Sequence, residues 1–210
     1  YQISRSLRFN SADSPYLSRT PSTTSSQTTA TFSAWVKRGT LGSEGRMFAE
    51  TTGSGAGLFW VYFTAADQIQ ILVNGSGTGL TTTQVFRDSS AWYHIVAAVD
   101  TTQGTASDRI KVYVNGSQIT AFTGTQTYYS QGQLLKFNVT STTNYIGYNN
   151  TAAFNGYMTE INWIDGQQLT PTSFGYVNPT TGIWSPAKFV GGYGTNGFYL
   201  NFSDNSNTTA

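Results

Sequence analysis

The chain has 210 residues, of which only 10 % are charged, with no cysteine and a formal net charge of +1. Without cysteine there can be no disulfide framework, thiolate metal site or Cys nucleophile, and an unclustered charge near zero lacks the basic footprint that nucleic-acid binding needs. No apolar stretch approaches the roughly 20 residues of a membrane-spanning helix, so neither a nucleic acid nor a membrane is expected as a partner.

In chain order, Leu7–Phe9 reads as a short first strand. Thr31 to Lys37 alternates, with Phe32, Ala34 and Val36 on one side and Ser33, Trp35 and Lys37 on the other, the period of a half-buried strand. Leu58 to Phe63 is apolar on both faces. Ile69, Ile71 and Val73 share a face before Asn74-Gly75, and Ile110, Val112 and Val114 do so before Asn115-Gly116. Asn-Gly supplies the two positive φ angles of a tight hairpin, so each pair predicts an antiparallel partner, which after Asn115-Gly116 is Ser117 to Ala121. Trp92 to Val99 is apolar on both faces, as a central strand covered on both sides would be. Thr170-Pro171 is a helix start good for a turn or two. Phe198, Leu200 and Phe202 form the inward row of a last strand expected near the first. Such a chain is all-β, and its length suits one domain over residues 1–210. The start at Tyr1 and the polar tail SDNSNTTA suggest a piece of something longer.

His94 is the only histidine, and its place mid-strand between Trp92 and Val96 predicts a structural role. Asp13, in SADSP, also suits an Asx turn before Pro15. The glycine-containing stretches 53–57 and 191–197 lack the following helix and Lys-Ser/Thr ending of a phosphate loop, and are read as turns.

Several motifs carry a family resemblance: Leu7-Arg8-Phe9-Asn10, Thr31 to Lys37, Trp92 to Ile95, Ile110 to Gly116, and Phe154-Asn155-Gly156-Tyr157-Met158-Thr159-Glu160-Ile161. In this order they resemble the concanavalin A-like jelly roll in its laminin-G-like branch, over nearly the whole chain. The resemblance implies a two-sheet antiparallel jelly-roll β-sandwich. Relatives in that superfamily include glucanases, whose retaining chemistry needs two carboxylates about 5 Å apart. The glutamates here are Glu44, Glu50 and Glu160, outside any such repeat, and Glu160 and Asp165 fall on opposite faces of a regular strand, so no catalytic role is expected. Laminin-G-like relatives often hold Ca²⁺ at the sandwich rim through carboxylates and carbonyls. Asn155 and Thr159 stand here where those relatives carry aspartate, which leaves Asp13 and Glu160 and implies at most a weak site, with no cofactor required.

Glycan recognition would use exposed aromatic faces with amides nearby. Candidates off the predicted core rows are Tyr128, Tyr129, Tyr148, Trp184 and Tyr193, with Asn149 and Asn150. The closing stretch, IDGQQLTPTSFG through TTGIWSPAKF to GYGTNGFYLNFSDNS, resembles modules of bacteriophage tail-fibre and capsid-fibre proteins. That likeness implies a virion surface outside the cell, host-surface polysaccharide or other virion proteins as partners, and a homo-oligomer if the module sits in a fibre. Alternatives from other classes are a purely structural fibre or capsid module and a carbohydrate-binding module of a secreted bacterial protein.

Overall fold

The computed structural model describes residues 1–50, 55–75, 77–148 and 151–203. Its strands form two seven-stranded antiparallel sheets facing each other as a jelly-roll sandwich, plus a two-stranded ribbon. The first sheet runs β1 (Leu7–Phe9), β13 (Gly156–Asp165), β3 (Thr29–Arg38), β8 (Tyr93–Asp100), β9 (Ile110–Val114) and β10 (Ser117–Ile119), with β16 (Phe198–Leu200) also paired to β13. The second runs β11 (Phe122–Thr123), β7 (Thr78–Val85), β6 (Gln68–Asn74), β5 (Ala56–Phe63), β4 (Gly45–Glu50), β12 (Asn144–Ile146) and β2 (Leu17–Arg19). Three single-turn 3₁₀ helices, at Ser11–Asp13, Ala106–Asp108 and Pro171–Ser173, complete the described elements. Among the described residues no helix is long and apolar enough to cross a membrane.

The inner rows of β3, β6 and β9 are those the alternation predicts. Phe32, Ala34 and Val36 of β3, Ile95, Ala97 and Val99 of β8, and Ile110, Val112 and Val114 of β9 meet Phe48, Phe59, Val61, Phe63, Ile69, Ile71 and Val73 of the other sheet in one core. Trp163 lies at its centre, stacked on Phe48 at 4.5 Å, with Phe137 edge-on at 5.1 Å. Phe198, Leu200 and Phe202 pack against the same core from its edge.

The Asn115-Gly116 hairpin forms as expected, with φ of 48° and 83° and Val114 opposite Ser117. The Asn74-Gly75 hairpin also joins antiparallel strands, but Asn74 pairs with Thr78, so three residues intervene where a two-residue turn is expected. The first and last strands do not pair with each other. Both lie on one edge of β13, β1 along Gly156 to Met158 and β16 along Ile161 to Trp163.

A bulge separates those two stretches: the register of β13 against β3 shifts between Thr159 and Asn162, and Glu160 takes φ 51° there. One extra residue changes the parity of the strand. Met158 faces the core before the bulge, and Ile161 and Trp163 face it after.

The outer face of the first sheet is covered too. Val96, Tyr113 and Ile164 pack under Phe174 and Phe189, with Leu169 and Tyr193 alongside. This cover carries the ribbon of β14 (Gly175–Val177) and β15 (Trp184–Pro186). Trp184 lies so close over the hairpin that a Cβ at Gly116 would sit 2.5 Å from its ring, so glycine is required there by contact as well as by φ.

Candidate functional site

The free edge of the second sheet is built from two three-residue strands, β2 and β12, paired from Leu17 with Ile146 to Arg19 with Asn144. The Thr20 and Thr143 hydroxyls meet at 2.7 Å where the pair ends. With the period of two, Leu17, Arg19, Asn144 and Ile146 turn inward and Tyr145 turns outward. Outside the edge, Tyr16, 52 % exposed, stacks on Tyr148 at 5.9 Å and meets Tyr145 edge-on at 5.5 Å. Inside it, a cavity of about 290 Å³ opens between the sheets, lined by Leu17, Ser18, Arg19, Phe48, Asn144, Ile146, Phe198 and Leu200. Arg19 bridges the gap: it donates to the carbonyls of Asn196 and Gly197 at 3.1 and 3.3 Å and lies over the Phe198 ring. Asn144 is 5 % exposed, and its Oδ1 has no hydrogen-bond partner. This edge thus offers aromatic faces, a cation and a buried amide acceptor within a few residues of one another.

Of the aromatic residues singled out from sequence, Tyr148 joins this cluster. Tyr129 does not serve as a platform: it is 1 % exposed, packs in the main core and donates its hydroxyl to Leu58 O at 2.5 Å. Tyr128 is half-buried against that core and bonds Gln126. Trp184 and Tyr193 belong to the outer cover, where Trp184 stacks on His94 and Tyr193 packs on Phe189 and bonds Asn162. Asn149 and Asn150 lie outside the described residues. Sequence reasoning missed Tyr16, Tyr145 and Arg19, and the available signal was the short alternation Tyr16-Leu17-Ser18-Arg19 after Pro15.

Asp13 and Glu160 are not brought to a common site. Asp13 is exposed in its 3₁₀ turn and accepts from Asn10 Nδ2 at 2.7 Å. Glu160 is 6 % exposed, and its Oε2 accepts the Tyr1 and Tyr199 hydroxyls, each at 2.6 Å. Burial, followed by the bond to Glu160, pushes both tyrosine pKa values up, so both remain proton donors. Among the described residues no three histidine or acidic side chains gather as a metal site would require. A carboxylate already committed to two hydroxyls, with the other acid engaged elsewhere, does not fit a calcium ion, which asks for six to eight converging oxygens.

His94 is structural, as its position implies. The Trp184 indole N–H donates to its Nδ1 at 2.9 Å, and its Nε2 lies 2.9 Å from Ser33 Oγ. An indole only donates, so Nδ1 is the acceptor and Nε2 carries the proton. Burial lowers the imidazole pKa to about 3, so the ring is neutral at ordinary pH. Its other neighbours are the Trp35 ring, stacked at 5.1 Å, and Phe174, a setting without a carboxylate partner. Asp165, the other acid of the sequence reading, is consumed by Ser25, Asn138 and the Asn196 amide.

A family model described as the Concanavalin A-like lectin/glucanases superfamily matches residues 11–173. No curated protein matches the sequence. Among solved structures, the heptameric SAP-like pentraxin of Limulus polyphemus is similar, with a TM-score of 0.55 at 18 % identity, covering 78 % of this chain and 76 % of that one. Domain 4 of the arabinanase AbnA of Geobacillus stearothermophilus, solved with arabinotriose, gives a TM-score of 0.47 at 20 % identity over 70 % of this chain and 65 % of that one. Trypanosoma rangeli sialidase gives 0.48 at 19 % identity over 70 % of this chain but only 22 % of its own length.

Proposed function

The chain belongs to the concanavalin A-like lectin/glucanases superfamily, and from that premise we propose a non-catalytic module, displayed on the outside of a bacteriophage virion, that contacts host-surface glycans. The observation that carries the reading is the Tyr16–Tyr148 pair on the outside of an edge whose inner side opens a cavity lined by Arg19 and by Asn144 with its unpartnered amide oxygen. Tyrosine faces pack against the C–H faces of pyranoses, and the cation and amide meet their hydroxyls. His94 is neutral and held by two hydrogen bonds and Glu160 is held by two tyrosines, so neither of the groups a hydrolytic reading would use is free, which favours binding over catalysis. The virion location is supported by the likeness of the closing stretch to phage fibre modules. A shallow edge site gains strength from many copies on one particle.

Exposed Val177, Ile183 and Val190 favour a second role for the outer cover, packing against further copies or other virion proteins. The pentraxin to which the chain is similar is itself a heptamer.

The test is binding of the labelled protein to a panel of bacterial cells and polysaccharides, with light scattering for copy number. Saturable binding that a chelator leaves intact and that Tyr16→Ala with Tyr148→Ala weakens tenfold or more is the expected result. No binding to any strain by a folded protein would overturn the glycan reading and leave the packing role.

A further inference from the structure

The outer face of the first sheet carries a second cavity, whereas the tyrosine edge belongs to the second sheet. The segment preceding β1 runs across this face and is fastened at both ends: Tyr1 donates to Glu160, and the Arg5 carbonyl accepts the Thr159 hydroxyl at 2.6 Å just before β1 pairs with β13. Beneath it lies a space of about 350 Å³ lined by Trp35, Trp92, Ser4, Arg5, Ser6 and Thr159, with Ile3 at the side. That volume is at the lower end of small-ligand pockets, roughly 300–1,000 Å³.

Three features of the wall point to a ligand. Trp35 is 8 % exposed, yet its indole N–H is buried without a hydrogen-bond partner. A buried donor left unmade is costly, and the side chain that carries it lines this space. Trp92 is half-buried, so part of its ring remains open to the cavity. Arg5 is the one charged residue of the lining, it is exposed, and its guanidinium makes no ion pair or hydrogen bond with any described residue. Serine and threonine hydroxyls fill the remaining wall.

We propose that this cavity is a saccharide subsite for an acidic pyranose of the uronate type. Trp92 covers the apolar ring face, the Trp35 N–H donates to a ring or hydroxyl oxygen, Arg5 pairs with the sugar carboxylate, and Ser4 and Ser6 meet the hydroxyls. Guanidinium–carboxylate pairing gives the selectivity, because a neutral sugar leaves Arg5 unpaired. The site is independent of the tyrosine edge and stands or falls without it.

The test is titration of the protein with trigalacturonate and with the corresponding neutral galactose trimer, followed by the indole N–H resonances in nitrogen-15 NMR. Trigalacturonate is expected to shift the Trp35 indole N–H saturably, more weakly at high salt since Arg5 is exposed. Trp92→Ala, at a half-buried position, and Arg5→Gln, at an exposed one, each weaken binding tenfold or more, whereas Tyr16→Ala with Tyr148→Ala leaves this titration unchanged. A Trp35 resonance that stays still at millimolar trigalacturonate overturns the proposal. So does equal binding of the neutral trimer, or binding lost in the tyrosine variant and retained in Trp92→Ala and Arg5→Gln, which would assign the acidic sugar to the edge.

Discussion

Strands β3 and β8 are buried on both faces, but the two faces are filled by different chemistry. Inward, Phe32, Ala34, Val36, Ile95, Ala97 and Val99 meet the opposite sheet, side chain against side chain. Outward, Val96 packs under Phe174 and Phe189, but Thr31, Ser33 and His94 are equally buried beside it, and each of these three is held by a hydrogen bond. Thr31 Oγ1 donates to Gln167 O and accepts from the Leu169 amide, while Ser33 and Trp184 hold His94. The cause is the partner. A sheet has satisfied its own backbone and offers only side chains, whereas the irregular cover brings unpaired amides and carbonyls that must find partners when buried. A regular layer can be covered with hydrocarbon alone; an irregular one needs polar residues among the apolar ones beneath it.

The comparison breaks most visibly at Trp163 and Trp184. Trp163→Ala removes the ring stacked on Phe48 and strands the Asn138 amide oxygen that accepts its N–H. A loss of about 3–5 kcal/mol is expected, with the whole sandwich melting lower in denaturant titrations by every probe. Trp184→Ala, half-exposed on the cover, is expected to cost about 2 kcal/mol and to act locally. Hydrogen exchange should quicken in residues 169–190 while amides of β3 and β8 keep their protection. Equal loss of protection in both layers would show that cover and core are one cooperative unit and that the distinction drawn between them is wrong.

The same contrast explains what could be read from the sequence. The inner rows of β3, β6 and β9 were legible because five or more residues of alternation leave no other face for the apolar side chains, and β8 was legible only as a strand covered on both sides. Strands β2 and β12 were not, since three residues hold no period, and Tyr16 and Tyr145 were hidden with them. Tyr129 was misread because it sits in irregular chain that dips into the core, where alternation has no meaning. In β13 the bulge at Glu160 changes parity midway, so a single period fitted across it assigns half the strand to the wrong face. Asn115-Gly116, by contrast, carries its conformation in its own chemistry and was legible from two letters.

The finest way to separate the two layers is pH, because each buries a group that titrates below neutrality or near it, with opposite signs. His94 lies under the cover, and burial lowers its pKa from 6.5 to about 3. The unfolded chain therefore takes up a proton that the folded one refuses, so the stability His94 contributes is present above 6.5 and falls as pH drops from 6.5 towards 3. Glu50 points from β4 into the sandwich, where burial raises its pKa from 4.5 to about 7, opposed in part by the Phe59 amide that donates to it at 2.7 Å. Its folded state holds a proton that the unfolded one releases, so its contribution is present below 4.5 and lost as pH rises to 7. Each is worth about 1.4 kcal/mol per pH unit inside its window, and between 4.5 and 6.5 they oppose. The protein should show a nearly flat stability there, falling below 4.5 as His94 acts alone and falling again from 6.5 to 7 as Glu50 does. Glu50→Gln removes one slope and leaves the other: denaturant midpoints should then decline by the His94 slope from pH 6.5 downward and stop rising with acid between 7 and 6.5. An unchanged flat region in Glu50→Gln would mean that one of these two groups is not buried in its neutral form.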